Sequence, residues 1–423
     1  MSFRHALALV LLGGLLPGVA LARDLLVAPP DASPAAAPDG SAVAPWPSVG
    51  EALNQAQGGD RILLMNGEYG ALGIGGADFD TAVTIMPRSE NGAHVTQVSV
   101  ANSHNLVIRG LNVWPLEEGR RRRLVTTQSN ASQIRFEDLD IRGAPNAPEA
   151  YLDWTREDWT RNWNAQAVRL EGPDNAVVGS RITGISFGIT TLGPRAEVRG
   201  NTITGFGGDA MRGLGDGSVF AQNLARDCVK VSDNHDDGFQ SWAPKDAPSG
   251  TPVTGIVLEA NTIFEWTGPE DHPLRCVLQG IGLFDGPYRD FTIRNNLIVV
   301  SAWHGITAQN AEGVEIVNNT VLFPGGLSHE RPWIRVNPAE GAGNRVLNNL
   351  AMAYRDIPGA QRSNGVVVDT LREFRDPLGG DYRLREGSAF IGAADPDAAP
   401  ETDIEGTARP QAAAPDLGAY QSR

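Results

Sequence analysis

A short motif, in which a few apolar residues lead into a polar bend and a few more follow it, returns along most of this chain and constrains its fold more than any other feature. It reads Ala176-Val-Val-Gly-Ser-Arg-Ile-Thr-Gly, then Glu197-Val-Arg-Gly-Asn-Thr-Ile-Thr-Gly, and begins again at Val219, Ile256, Phe291, Val314 and Arg345. The bend residues are Ser180, Asn201, Asn223, Asn261, Asn295, Asn318 and Asn348, spaced 21, 22, 38, 34, 23 and 30 residues apart. A base period near 22, with extra length confined to the bends, marks a solenoid whose coil is three short strands. Asn suits the bend because it tolerates left-handed backbone geometry and its amide can bond to the neighbouring coil.

Around this core the chain divides readily. Residues 1–22 read as a secretory leader: Arg4 and His5, an apolar run over 6–16, and Ala20-Leu21-Ala22 as a small-residue cleavage site. The mature chain is then expected to start near Arg23 and to be secreted or periplasmic. No later stretch approaches the roughly 20 apolar residues of a membrane span, so no membrane anchor is expected. Residues 23–59 form a lead-in and a capping helix over 48–57 (SVGEALNQAQ), with Ser48 as N-cap and Glu51 three residues on. The solenoid is expected over 60–350 and a closing segment over 351–423. Losing the leader removes Arg4 and leaves 34 basic against 50 acidic residues, a charge of −16, which argues against nucleic acid as a partner. A monomer is expected. Cys228 and Cys276 are the only cysteines, and in an exported chain a disulfide between them is expected, with two buried thiols as the alternative.

The densest chemistry lies in 229–242 (VKVSDNHDDGFQSW), where Asp233, Asn234, His235, Asp236 and Asp237 are consecutive. Adjacent carboxylates repel, so such a cluster binds a cation, is heavily hydrogen-bonded, or uses the raised proton affinity of one member; a solvated turn is the structural alternative. Lys230, one of only two lysines, adjoins it. Aligning the strand after each bend gives the rows Phe187-Gly-Ile-Thr-Thr-Leu, Asp209-Ala-Met-Arg-Gly-Leu, Asp237-Gly-Phe-Gln-Ser-Trp, Gln279-Gly-Ile-Gly-Leu-Phe and His304-Gly-Ile-Thr-Ala-Gln. The third column, Ile189, Met211, Phe239, Ile281 and Ile306, is apolar and must face the core. Alternation then turns the fourth and sixth columns to solvent: Arg212 with Leu214, Gln240 with Trp242, Gly282 with Phe284, Thr307 with Gln309. Asp209, Asp237, Gln279 and His304 fall in the first column, at the corner. Polar groups beside exposed rings are what a sugar chain needs for binding. The insertions 148–164, with Tyr151, Trp154, Trp159 and Trp163, and 244–252 are candidate groove walls, the former alternatively a helix packed on the solenoid.

The repeat, the 45–70 lead-in and the 380–421 closing segment (DYRLREGSAF, TDIEG, PDLGAY) together resemble the right-handed parallel β-helix of the pectate-lyase-like proteins. That resemblance implies an all-β chain, a single right-handed parallel β-helix of three-strand coils. A narrower likeness links Asp236-Asp237-Gly238, His304-Gly305 and Ile334-Arg335-Val336 to the acidic pair, His-Gly and Arg-Ile-Lys of polygalacturonases. Here an extra coil bearing Gln279 intervenes, Gly208-Asp209 replaces Asn-Thr-Asp, and no Lys follows Arg335. Three functions follow. A glycoside hydrolase would use Asp209, Asp236 and Asp237 as acid and base, tuned by His235 or His304, with Arg212, Lys230, Gln240, Trp242, Gln279, Phe284, Gln309 and Arg335 holding the glycan. A polysaccharide lyase would use Asp233, Asp236 and Asp237 to hold Ca2+ against a uronate. A non-catalytic glycan-binding solenoid is the third.

Overall fold

The computed structural model describes residues 22–422 apart from 34–35, 120–121, 244–247, 249, 327–330, 339–341, 358–362 and 411–412. The leader expected over 1–22 therefore lies almost wholly outside the described residues, as does much of the 244–252 insertion.

The chain is a right-handed parallel β-helix. Its strands stack into three long parallel sheets of 12, 11 and 12 strands among the described residues, and a side sheet of three joins them. Parallel pairing starts with Asp24–Val27 on Arg61–Leu64 and ends with Leu350–Ala351 on Gly365–Val366, so it extends beyond 60–350 on both sides. The helix Val49–Gln55 closes the N-terminal end; Ser48 accepts from the Glu51 N–H, and Val49, Ala52 and Leu53 are buried. No described helix is long and apolar enough to cross a membrane.

The expected core column is in register along its length, Ile189 to Met211 to Phe239 to Ile281 to Ile306, and each side chain is at most 1% exposed. A column of small residues beside it sets the shape of the wall. A Cβ on Gly188 would lie 3.3 Å from Ile203, on Gly238 2.5 Å from Ile263 and on Gly280 2.6 Å from Ile298, so these positions also face the core. Two successive residues turned inward at the corner force the preceding one outward. That turns Asp237 and Gln279 away from the core interior, Asp237 remaining fully buried and Gln279 partly exposed.

The asparagine ladder differs from the expected one in its last three coils. Each backbone N–H donates to the next side-chain amide oxygen in the series Ser180, Asn201, Asn223, Asn261, Asn296, Asn319, Asn349 and Asn364, at 2.8–3.0 Å. Asn295, Asn318 and Asn348 each precede the ladder residue and take the left-handed backbone, with φ of 54°, 54° and 59°. Their side chains instead hold the closing segment, donating to Thr402 O, Asp416 O and Asp395 O. The 148–164 insertion is the packed alternative rather than a groove wall: Tyr151, Trp154 and Trp159 are buried against Val229 and Val231.

Candidate functional site

The loop leading to Asp237 is fixed at both ends. Cys228 and Cys276 form a disulfide with Cα atoms 5.5 Å apart, Cys276 N–H donates to Cys228 O at 3.1 Å, and Lys230 N–H donates to Leu274 O at 2.6 Å. Beneath it lies Glu265, 1% exposed, which accepts from Arg275, the Leu278 N–H and Ser301. Nothing in the sequence near Glu265 singles it out, because its partners come from later turns.

Three carboxyl groups lie close enough here to feel one another's charge, all at most 2% exposed, and their surroundings differ. Asp209 accepts from Arg212 Nε at 2.6 Å, Asn234 Nδ2 at 2.9 Å and the Asp237 N–H at 3.2 Å. Burial pushes its proton affinity up, opposed by the guanidinium and these donors. Asp236 accepts from Lys230 Nζ at 3.0 Å through one oxygen only; the Lys230 ammonium also bonds Asn234 O. Burial raises Asp236 to about 6 despite that cation. Neither oxygen of Asp237 has a hydrogen-bond partner. Burial first, then the negative charges of Asp209 and Asp236, push it well above the usual carboxylate range. Gln279, in register with Asp237 on the next coil, also has a buried amide oxygen without a partner.

Arg212 lies 3.6 Å from the Phe187 ring centroid and 5.5 Å from that of Trp242, which holds its guanidinium at Asp209. His304 bonds Thr307 Oγ1 through Nδ1 at 3.0 Å and meets the Phe284 and Trp333 rings edge-on, both at 5.1 Å. Burial, then the charges of Arg335 and His235, lowers its pKa and favours neutral imidazole. Gln240, Trp242, Phe284, Gln309 and Arg335 are partly exposed on this wall, Arg335 being paired with Asp356 at 2.8 Å.

Three expectations need correcting. Leu214 and Thr307 do not face solvent: they are 6% and 0% exposed, and Thr307 lies beneath Trp333, whose Nε1 donates to its hydroxyl at 3.1 Å. His235 is exposed and joins the cluster only through its charge on His304. Asp233 is exposed and does not converge with Asp236 and Asp237. Among the described residues one set of three His, Cys, Asp or Glu side chains brings ligand atoms within 4.8 Å of one another, Cys228, Cys276 and Asp236, and its sulfurs are bonded to each other. The residues expected to hold Ca2+ therefore do not fit a calcium cage, which needs six to eight converging oxygens.

No known family profile and no curated protein matches the sequence. Among solved structures, XylC in complex with xylose is similar, with a TM-score of 0.54 and 9% identity over 95% of this chain and 98% of that one. Pectate lyase Pel9A gives 0.48 and 16% over 96% and 98%, and a mannuronic acid specific polysaccharide family 6 lyase from human gut microbiota gives 0.44 and 13% over 82% of each chain. XylC carries the likeness, and at such identity it extends to the fold alone.

Proposed function

We propose that the outer wall around Asp237 binds and cleaves a polysaccharide, as a glycoside hydrolase working by carboxylate acid–base catalysis. The observation that carries this reading is the buried Asp237 carboxyl, both oxygens unpartnered, one coil from the Arg212-bound Asp209. An unpaired buried carboxyl costs stability, and a purely structural turn has no use for it. Two carboxyl groups whose surroundings separate their proton affinities are the arrangement that assigns acid and base.

In this mechanism Asp237 donates its proton to the glycosidic oxygen as the bond to the anomeric carbon breaks, and Asp209, whose anionic form Arg212 favours against its burial, takes the proton of the attacking water. Neutral His304 donates or accepts a hydrogen bond to the sugar, and Trp242 stacks on it. The Phe284 ring borders the Asp237 carboxylate and must swing aside for substrate to reach it. The similar XylC structure, solved with xylose, is consistent with a glycan ligand on this fold.

The test is incubation of purified protein with a panel of polysaccharides. Hydrolysis yields new reducing ends without ultraviolet absorbance; an unsaturated, absorbing product would reveal a lyase, and no product from any glycan would leave a binding solenoid.

A further inference from the structure

The outward column that holds Gln240 continues in register through Gly282 and Thr307 to Arg335 and Arg355. Two arginines thus stand on adjacent coils, like charges directly opposite, which by itself costs stability. Elsewhere cross-coil arginines of this acidic chain find carboxylates: Arg195 meets Asp174, Arg294 meets Glu259, and Arg345 meets Glu315. Here Asp356 serves Arg335, while Arg355 is exposed and forms no ion pair among the described residues. Its guanidinium lies 4.3 Å from the Trp333 ring centroid instead. The Trp333 ring has a second neighbour 5.8 Å away, Trp303, 53% exposed.

A bare indole and a guanidinium without an ion pair among the described residues, both set against the Trp333 ring, suit a sugar that bears an anion. The C–H face of the pyranose covers the indole, and the anionic oxygens accept from the guanidinium in charge-assisted bonds. We propose that Trp303, Arg335 and Arg355 form a distal subsite for a sugar unit carrying a carboxylate or a sulfate, several units along the chain from the one at Asp237. This rests on the reading of the wall as a glycan-cleaving site. Arg335 and Arg355 are three and four coils from Asp237, roughly 14 and 19 Å at a strand spacing of about 4.8 Å, so one extended glycan can occupy both places.

The experiment is a binding titration of the Asp237→Asn protein, chosen to slow any turnover of the probes, with polygalacturonate, dextran sulfate and xylan. At least one polyanion should bind about tenfold tighter than xylan, and the two polyanions distinguish carboxylate from sulfate. Adding Arg355→Gln or Trp303→Ala should weaken that binding at least about fivefold with Tm unchanged, and Arg355→Gln should also reduce its salt dependence. Xylan binding as tightly as both polyanions, no binding of any probe, or polyanion affinity indifferent to both substitutions would overturn the proposal. The cleavage reading is tested separately by wild-type turnover: polyanion binding that falls in Arg355→Gln while the wild type cleaves nothing keeps the subsite and removes the enzyme.

Discussion

The Asp237 carboxylate lies against the bare backbone of Gly282 on the next coil, where a methyl group would come to 2.8 Å from Oδ1 and would also strike the Phe284 ring. Gly282→Ala should therefore displace the partly exposed Phe284 and disturb Asp237 without breaking the coil. The expected cost is about 1–3 kcal/mol, as for other overpacked sites, with a larger proportional loss of turnover than of stability. Urea denaturation and initial rates on the same preparation check this; unchanged turnover would show that the Asp237 environment is not used.

Asp236 and Asp237 make stability depend on pH. The native state raises Asp236 to about 6 and Asp237 well above the 3.8 of a free carboxyl, so it holds protons that the unfolded chain has released. Stability is then greatest below about pH 4 as far as these groups are concerned, and falls as pH rises through 6. The Asp236 shift alone is worth about 3 kcal/mol. Urea denaturation between pH 4 and 8 should show a steeper loss for the wild type than for the Asp236→Asn, Asp237→Asn double variant. Equal slopes would contradict the assignment.

Arg212 pairs with the buried Asp209 carboxyl at 2.6 Å. Removing it as Arg212→Met should cost about 3–5 kcal/mol, the usual penalty for stranding a buried charge. Adding Asp209→Asn should restore much of that loss. A double-mutant cycle in thermal denaturation gives the answer, and simple additivity would mean that the pair is not coupled.

The Cys228–Cys276 bond closes a separation of 48 residues, for which the chain-entropy relation gives about 4 kcal/mol. Thiol titration of the unfolded, unreduced protein should find no free thiol. Replacing both cysteines by Ala should lower Tm and also shift the acidic limb of the pH–rate profile, because the sulfurs lie beside Asp236. A lower Tm with an unmoved profile would leave the bond a brace only.

Much of this was legible in the sequence because corners are demanding. The recurring pair of an outward residue and a small one, Asp237-Gly238, Gln279-Gly280 and His304-Gly305, is fixed by the core side chains that a Cβ would strike, so its column could be aligned from residues alone. The ladder slipped by one at Asn295, Asn318 and Asn348 because either asparagine of a doublet is chemically suited to either role; only the closing segment that the first one binds tells them apart. Thr307 was misplaced because strict alternation ignores what the next coil lays over a residue, here Trp333. Trp303 and Arg355 are not signalled by the sequence because only coil stacking, across 52 residues, brings both to the Trp333 ring.

The central claim is that Asp237 supplies the proton for glycan cleavage. Its most direct test is the turnover of Asp237→Asn on whichever polysaccharide the wild type cleaves, measured by reducing ends together with Tm at pH 7. We predict a loss of at least about 100-fold, the lower end for removing an acid–base group, with Tm unchanged or raised because a buried carboxyl is replaced by an amide that cannot ionise. Wild-type turnover in a variant that melts earlier would contradict it and return the acidic cluster to a structural turn.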